Sequence, residues 1–367
     1  MYNRRCHEAS SWTGPLSRLL IVLTALCFAL LLWDVQPTRA KSQSSQTRSY
    51  KKGQLSKPGL HRKPRYSKSS KRGKKLVRRK AKKKLRRKGI RAKAVYCVNL
   101  TSKRTLLAKN ADRQLPVASL TKLVTALVVL DHMPLNRKVR VPKHIKRIPK
   151  SVVGLRPGDL VSVRDLLHGM LMQSGNDCAE TLARALPGGR QKFIKKMNMK
   201  ARAMGTKRTF FYTASGLDMK LVRKKKNKKR SVRIKSNVST AREIARIARF
   251  AFSNKTIRSI CMKRAYVMAG AKSKRGYRVT NTNKLLRCRL PIRAGKTGYT
   301  ARAGRCLATA FTPGRDVFVI VVLGSPDHFR DTRLVYRKAL KKALANKNRV
   351  RRTRHSRKIA RPPVAGS

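Results

Sequence analysis

Ser119 and Lys122 stand three residues apart in "PVASLTKLVTALVVLD" (residues 116–131), where a polar residue opens an apolar run. On a helix that spacing brings the two side chains together on one face. A serine hydroxyl is a weak nucleophile until a base takes its proton, and an amine can act as that base only when neutral. Burial against Leu120, Leu123 and Val124, with a second cation nearby, would lower the lysine's pKa as the role requires. At the helix start the serine's own N–H is free to face a developing oxyanion. The spacing by itself is weak, because Ser49 and Lys52 repeat it in a polar tract. Order and company strengthen it: Ser174-Gly175-Asn176 and Lys296-Thr297-Gly298 follow downstream. Each has a plain structural alternative. Ser174 can cap a helix, Asn176 can serve a turn, and Thr297 and Gly298 can simply begin a strand.

The surrounding elements must bring these triplets together. "AVYCVNL", "TSKR" and "TLLAK" read as a strand, a turn and a second strand, a hairpin that begins near Lys93. The serine-bearing helix follows. "GLRPGDLVSVRDLLHGMLMQSGNDCAETLARAL" gives a turn and two helices, with the Ser174 triplet as the loop between them. "KLVRKKKNKKRSVRIK" (220–235) reads as an exposed loop, and "STAREIARIARFAF" as an amphipathic helix. In the late block the Lys296 triplet opens a strand, and Pro313 and Gly314 separate two apolar runs. The second run is continuous enough to be a central strand. "TRLVYRKALKKAL" then closes the domain as a short helix. Two strands at the front, helices in the middle and strands at the end predict an α+β fold. Its sheet is antiparallel, with the first and last strands meeting and helices covering it.

Outside this body the chain changes character. It holds 367 residues, with 94 Lys+Arg against 13 Asp+Glu and a formal charge of +81. Such a charge attracts polyanions, whether nucleic acid, anionic lipid or an anionic cell wall. Residues 1–40 carry a basic start and the apolar run Leu19–Trp33, short for a membrane span. They read as an export signal ending near Ala40, or as an uncleaved N-terminal anchor, which places the protein in the periplasm or at the cell wall. The cations just beyond the apolar run oppose translocation. Residues 41–91 form a Lys/Arg-rich linker read as disordered, a tether for an anionic cell-wall polymer or other polyanion. Tyr50 and Tyr66 are its only aromatics, too few for base stacking, so sequence-specific nucleic-acid binding is not expected. Residues 92–344 make the catalytic domain and 345–367 a basic tail. No cysteine pair or histidine cluster has metal-ligand spacing, so no metal or other cofactor is expected. Without Cys6 and Cys27, the remaining Cys97, Cys178, Cys261, Cys288 and Cys306 allow one or two disulfides with a thiol left over.

With all three triplets in order, the chain resembles the D-alanyl-D-alanine carboxypeptidase family, the low-molecular-mass penicillin-binding proteins. "PVASLTKLVTAL", "TASGLD", "NTNKLL" and "GKTGYTARAG" are similar to that family's blocks, and the likeness spans roughly Ala92 to Leu344. It implies a five-stranded antiparallel sheet flanked by a helical region, the β-lactamase-like fold. It also implies that Ser119 is the nucleophile and Lys122 its base, while Ser174 and Asn176 shuttle protons and hold the substrate amide. Lys296 and Thr297 would bind the terminal carboxylate of a peptidoglycan stem peptide. Gly298 would let the substrate lie alongside as an extra strand, and the N–H groups of Ser119 and Tyr299 would form the oxyanion hole. β-Lactams would acylate the same serine.

Three other readings stay open. A β-lactamase of the same fold, in its best-known form, needs a glutamate after the loop motif. No carboxylate lies between Glu180 and Asp218, the next glutamate is Glu243, and the loop reads SGN rather than S-D-N. A DD-endopeptidase acting on cross-links uses the same residues in a differently shaped groove. A polyanion-binding protein with an inactive enzyme-like domain is the reading from another class.

Overall fold

The computed structural model describes residues 89–149, 151–225, 228–270 and 273–359. Residues 1–40, read from sequence as an export signal or anchor, and nearly all of the 41–91 run lie outside the described residues. In chain order the main elements are β1 (Ala94–Asn99), β2 (Thr105–Lys109), α1 (Lys122–His132), α2 (Val163–His168), α3 (Asn176–Ala185) and α4 (Gly189–Ala203). They continue with β3 (Met219–Lys225), β4 (Lys228–Lys235), α5 (Ala241–Ser253), α6 (Lys255–Met262), β5 (Ala265–Gly270) and β6 (Ser273–Thr280). The last are β7 (Ile292–Thr300), β8 (Gly304–Phe311), β9 (Phe318–Ser325) and α7 (His328–Ile359).

Five strands form one antiparallel sheet in the order β7-β8-β9-β1-β2. The first and last strands of the chain therefore meet, Ala94 opposite Leu323 and Asn99 opposite Phe318. Side chains alternate between two cores, as strand geometry requires. Ala94, Tyr96, Val319, Val321 and Leu323 face the helical side, packed with α1, α5 and α6. Val95, Cys97, Phe318, Ile320 and Val322 face α7, which offers Val335, Tyr336, Ala339 and Ala343. Because β9 is covered on both faces and paired on both edges, "FVIVVLGS" has to be apolar throughout.

α1 is buried along Lys122–Val129, running through the interior rather than over it. The helices around it are capped by their own sequence. Ser162 accepts from Asp165 N–H at the start of α2, Thr240 from Glu243 N–H at α5, and Asn254 from Ile257 N–H at α6.

Three expectations need correction. Residues 220–235 form the β3–β4 hairpin instead of a loop; β-branched Val222, Val232 and Ile234 favour extended backbone, and Val222 pairs with Val232 across the ribbon. The closing helix extends well past Leu344 to Ile359 because nothing in "KKALANKNRVRRTRHSRK" breaks it: no proline or glycine interrupts the run. The five cysteines Cys97, Cys178, Cys261, Cys288 and Cys306 are all free thiols. Cys97 faces the α7 side, whereas Cys178, Cys261 and Cys306 lie in the other core, so the sheet itself separates them.

Candidate active site

Ser119 lies in a tight 3-10 turn, Ala118–Thr121, and α1 begins at Lys122 itself. Ala118 holds φ of +49°, a left-handed conformation costly for a residue with a Cβ. Gly216 fits against that turn from behind: a Cβ there would stand 2.1 Å from the Ala118 carbonyl oxygen. Its own φ is +86°, so only glycine meets both demands.

Lys122 is fully buried, at 0% exposure. Its Nζ lies 3.0 Å from Ser119 Oγ, 2.7 Å from Asn176 Oδ1 and 2.8 Å from the Ser215 carbonyl oxygen. The last two groups can only accept. A neutral amine has two protons and one lone pair, so donating to both acceptors leaves the lone pair for the Ser119 hydroxyl. Burial, and then the charge of Lys296, hold Lys122 well below the ordinary amine range, against the pull of Asp177 and Glu180. The neutral base and its orientation thus come from the same surroundings.

Asn176 opens α3, and Ser174 precedes it in the left-handed region with φ of +66°, ending a π-turn over Gly169–Gln173. Asp177 fixes this corner. Its carboxylate accepts from the N–H groups of Val153, Gly154, Leu155 and Cys178 at 2.9–3.2 Å. Burial pushes the adjacent Cys178 thiol well up, so it stays protonated and is no rival nucleophile.

The third triplet sits in the middle of β7, not at its start as the sequence suggested. β7 is an edge strand of the sheet and leaves one side open for another strand. A Cβ at Gly298 would stand 3.0 Å from Ser119 N, so the strand passes directly beside the Ser119 backbone. Lys296 is 1% exposed, donates to the Thr297 carbonyl at 2.9 Å, and is brought by burial down to about 8. Tyr299 is exposed, with the Arg305 guanidinium over its ring.

The structure thus gathers Ser119, Lys122, Asn176 and the β7 triplet around one cleft, with Ser174 at its corner. Four contributors were not singled out from sequence. Ser215 supplies a carbonyl to Lys122 and Gly216 supports the turn. Asn237 Nδ2 donates to Thr121 Oγ1 at 3.0 Å and to Thr213 O at 2.8 Å. Thr282 Oγ1 donates to Met172 O at 3.2 Å and lies 2.5 Å from Thr297 Oγ1, tying the two walls together. The "TASGLD" and "NTNKLL" blocks contained three of them, but a carbonyl, a glycine's clearance and a hydroxyl between two walls take their roles from the fold rather than from residue type. Beside Ser215 opens a cavity of about 310 Å³ lined by Arg147, Asp218 and the Glu180–Arg190 ion pair.

The family described as D-alanyl-D-alanine carboxypeptidase, Peptidase_S11, matches residues 80–327. The D-alanyl-D-alanine endopeptidase of Pseudomonas aeruginosa is 34% identical over 240 residues, which cover 63% of this chain and 72% of that one. The carboxypeptidase DacF of Bacillus subtilis is 27% identical over 240 residues, covering 64% of this chain and 57% of that one. Among solved structures, a D-alanyl-D-alanine carboxypeptidase from Mycobacterium tuberculosis superposes with a TM-score of 0.60 at 29% identity, covering 70% of this chain and 92% of that one. A mutant of the Streptomyces DD-transpeptidase gives 0.61 at 29%, covering 69% and 99%. By its motifs, its sheet and these matches, the chain belongs to the D-alanyl-D-alanine carboxypeptidase family.

Proposed function

We propose that the chain is a serine DD-carboxypeptidase that removes the terminal D-Ala from peptidoglycan stem peptides, with Ser119 as nucleophile. The observation that carries this reading is the buried amine of Lys122, 3.0 Å from Ser119 Oγ, with two acceptor-only groups turning its lone pair toward the hydroxyl. The peptide lies along the open edge of β7, its carboxylate toward Lys296 and Thr297. Lys122 takes the hydroxyl proton as Oγ attacks the penultimate carbonyl carbon. The N–H groups of Ser119 and Tyr299 receive the oxyanion. As the C–N bond breaks, the proton passes through Lys122 and Ser174 to the leaving nitrogen, and D-Ala departs. Water, deprotonated by the same amine, then cleaves the ester and restores Ser119. β-Lactams acylate the same oxygen.

Covalent labelling with a fluorescent penicillin tests this. Labelling is expected for the wild type and lost in Ser119→Ala; a mutant that labels equally well would overturn the assignment. An endopeptidase reading is favoured by one observation, that relatives named as endopeptidases reach 34% identity. Supplying cross-linked and uncross-linked muropeptides together separates the two by which product forms first. Export, suggested by the apolar Leu19–Trp33 run, would put the enzyme where peptidoglycan lies, and the Lys41–Arg91 run would hold it to anionic wall polymer.

A further inference from the structure

The β3–β4 hairpin takes no part in the catalytic reading, yet both its ends are fastened to the catalytic turn. Just before β3, Ser215 accepts from Lys122, and just after β4, Asn237 donates to Thr121. Between these anchors the ribbon pairs only with itself, Leu221 opposite Arg233 and Lys220 opposite Ile234. Two-stranded ribbons without a packed face are marginal in water. This one leaves aliphatic side chains uncovered: Val232 is 57% exposed, Ile234 38% and Leu221 36%. Val232 and Ile234, two apart on one strand, share a face, whereas Arg233 and Lys235 share the other with Leu221, which lies opposite Arg233. From Met219 to Lys235 the sequence holds ten Lys or Arg and no Asp or Glu.

We infer that this ribbon is a docking arm for an anionic phospholipid surface. The chemistry of the two faces selects that partner. An anionic polymer would be matched by the cations alone and would leave Val232 and Ile234 in water. A nucleic acid would call for stacking aromatics, and the stretch 219–235 has none. A lipid surface meets both requirements: aliphatic side chains enter the headgroup–acyl boundary, while long basic side chains reach back to phosphates. The anchors at Lys122 and Thr121 mean that seating the ribbon also sets how the cleft stands relative to that surface. The inference is independent of the catalytic reading, and Ser119→Ala protein should dock equally well.

The test uses the full chain, because the basic Lys41–Arg91 run contributes the same background to every variant. Val232→Trp is mixed with phosphatidylglycerol-rich vesicles at physiological ionic strength, and the signal of wild-type Trp12 and Trp33 is subtracted. The expected result is a blue-shifted emission that brominated lipid quenches. Soluble polyglutamate should leave the emission unchanged. The double variant Val232→Ser, Ile234→Ser should bind vesicles about tenfold more weakly and hydrolyse a small soluble peptide at the wild-type rate. Unshifted emission with vesicles, an equal shift with polyglutamate, or unchanged vesicle affinity of the double variant would each overturn it.

Discussion

The cleft and the β3–β4 ribbon are both supplied with basic residues, but they place them in opposite surroundings. Among the described residues, Lys122 and Lys296 are the only buried lysines or arginines. Burial lowers the affinity of each for its proton. On the ribbon, Arg233 is instead exposed and Lys235 half-buried. The same kind of side chain thus holds its proton differently according to burial. In a chain with this many cations, burial therefore identifies the chemically distinct ones better than sequence spacing does.

Exchanging the buried Lys122 is the most severe way to test that contrast. Lys122→Arg keeps a charge but cannot act as a neutral base, so acylation by a fluorescent penicillin should fall about 10³-fold. Lys195→Arg, on the exposed side of α4, should stay within about twofold. A matching loss in both would erase the distinction. Gly216→Ala comes next. Its methyl would press on the Ala118 carbonyl at a backbone angle unsuited to alanine, and should cost about 3 kcal/mol or more in denaturant unfolding.

Lys296→Gln should reduce kcat/KM by roughly 30- to 150-fold for a free-carboxylate peptide, the value of a charge-assisted contact, and much less for its amide. Equal losses for the two peptides would place the residue's contribution in the field on Lys122 instead. The pH profile sharpens this further. Lys296 is charged below about 8 and neutral above it, so kcat/KM for the free-carboxylate peptide should fall as pH rises through that value, and the amide should show a weaker limb. Stability moves the other way. The unfolded chain keeps this proton up to 10.5 and the folded chain only to about 8. Unfolding therefore takes up a proton between those values, and stability should climb with pH across that window. The smallest effect belongs to a surface cation: Lys347→Ala breaks the pair with Asp316, at 2.6 Å, and should cost about 0.5 kcal/mol.

Sequence patterns carried the sheet and the gathering of the triplets well. "AVYCVNL" and "FVIVVLGS" were legible as strands because their apolar content follows from burial, on one face or on both. The three triplets announced the cleft. Contributions made by the backbone were not legible, since the Ser215 carbonyl would be the same for almost any residue. The β3–β4 pairing was hidden for a different reason. Its dense charge resembles a loop, and only a partner strand shows that Val222 and Val232 stand opposite one another. The length of α7 was missed because basic composition suggested a tail, although lysine and arginine are good helix formers.

Thr282 has one hydroxyl proton and two acceptors in reach, the Met172 carbonyl at 3.2 Å and the Thr297 hydroxyl at 2.5 Å. Only one proton can occupy the shorter gap, and either threonine can supply it. In the proposed reaction a substrate carboxylate arriving at Thr297 would accept the Thr297 proton, leaving Thr282 to donate across the short gap. Two bond rotations, with no movement of the chain, would then report an occupied β7 edge to the opposite wall, two residues before Ser174. On that reading the pair would work as a proton-direction relay whose setting depends on what lies in the cleft.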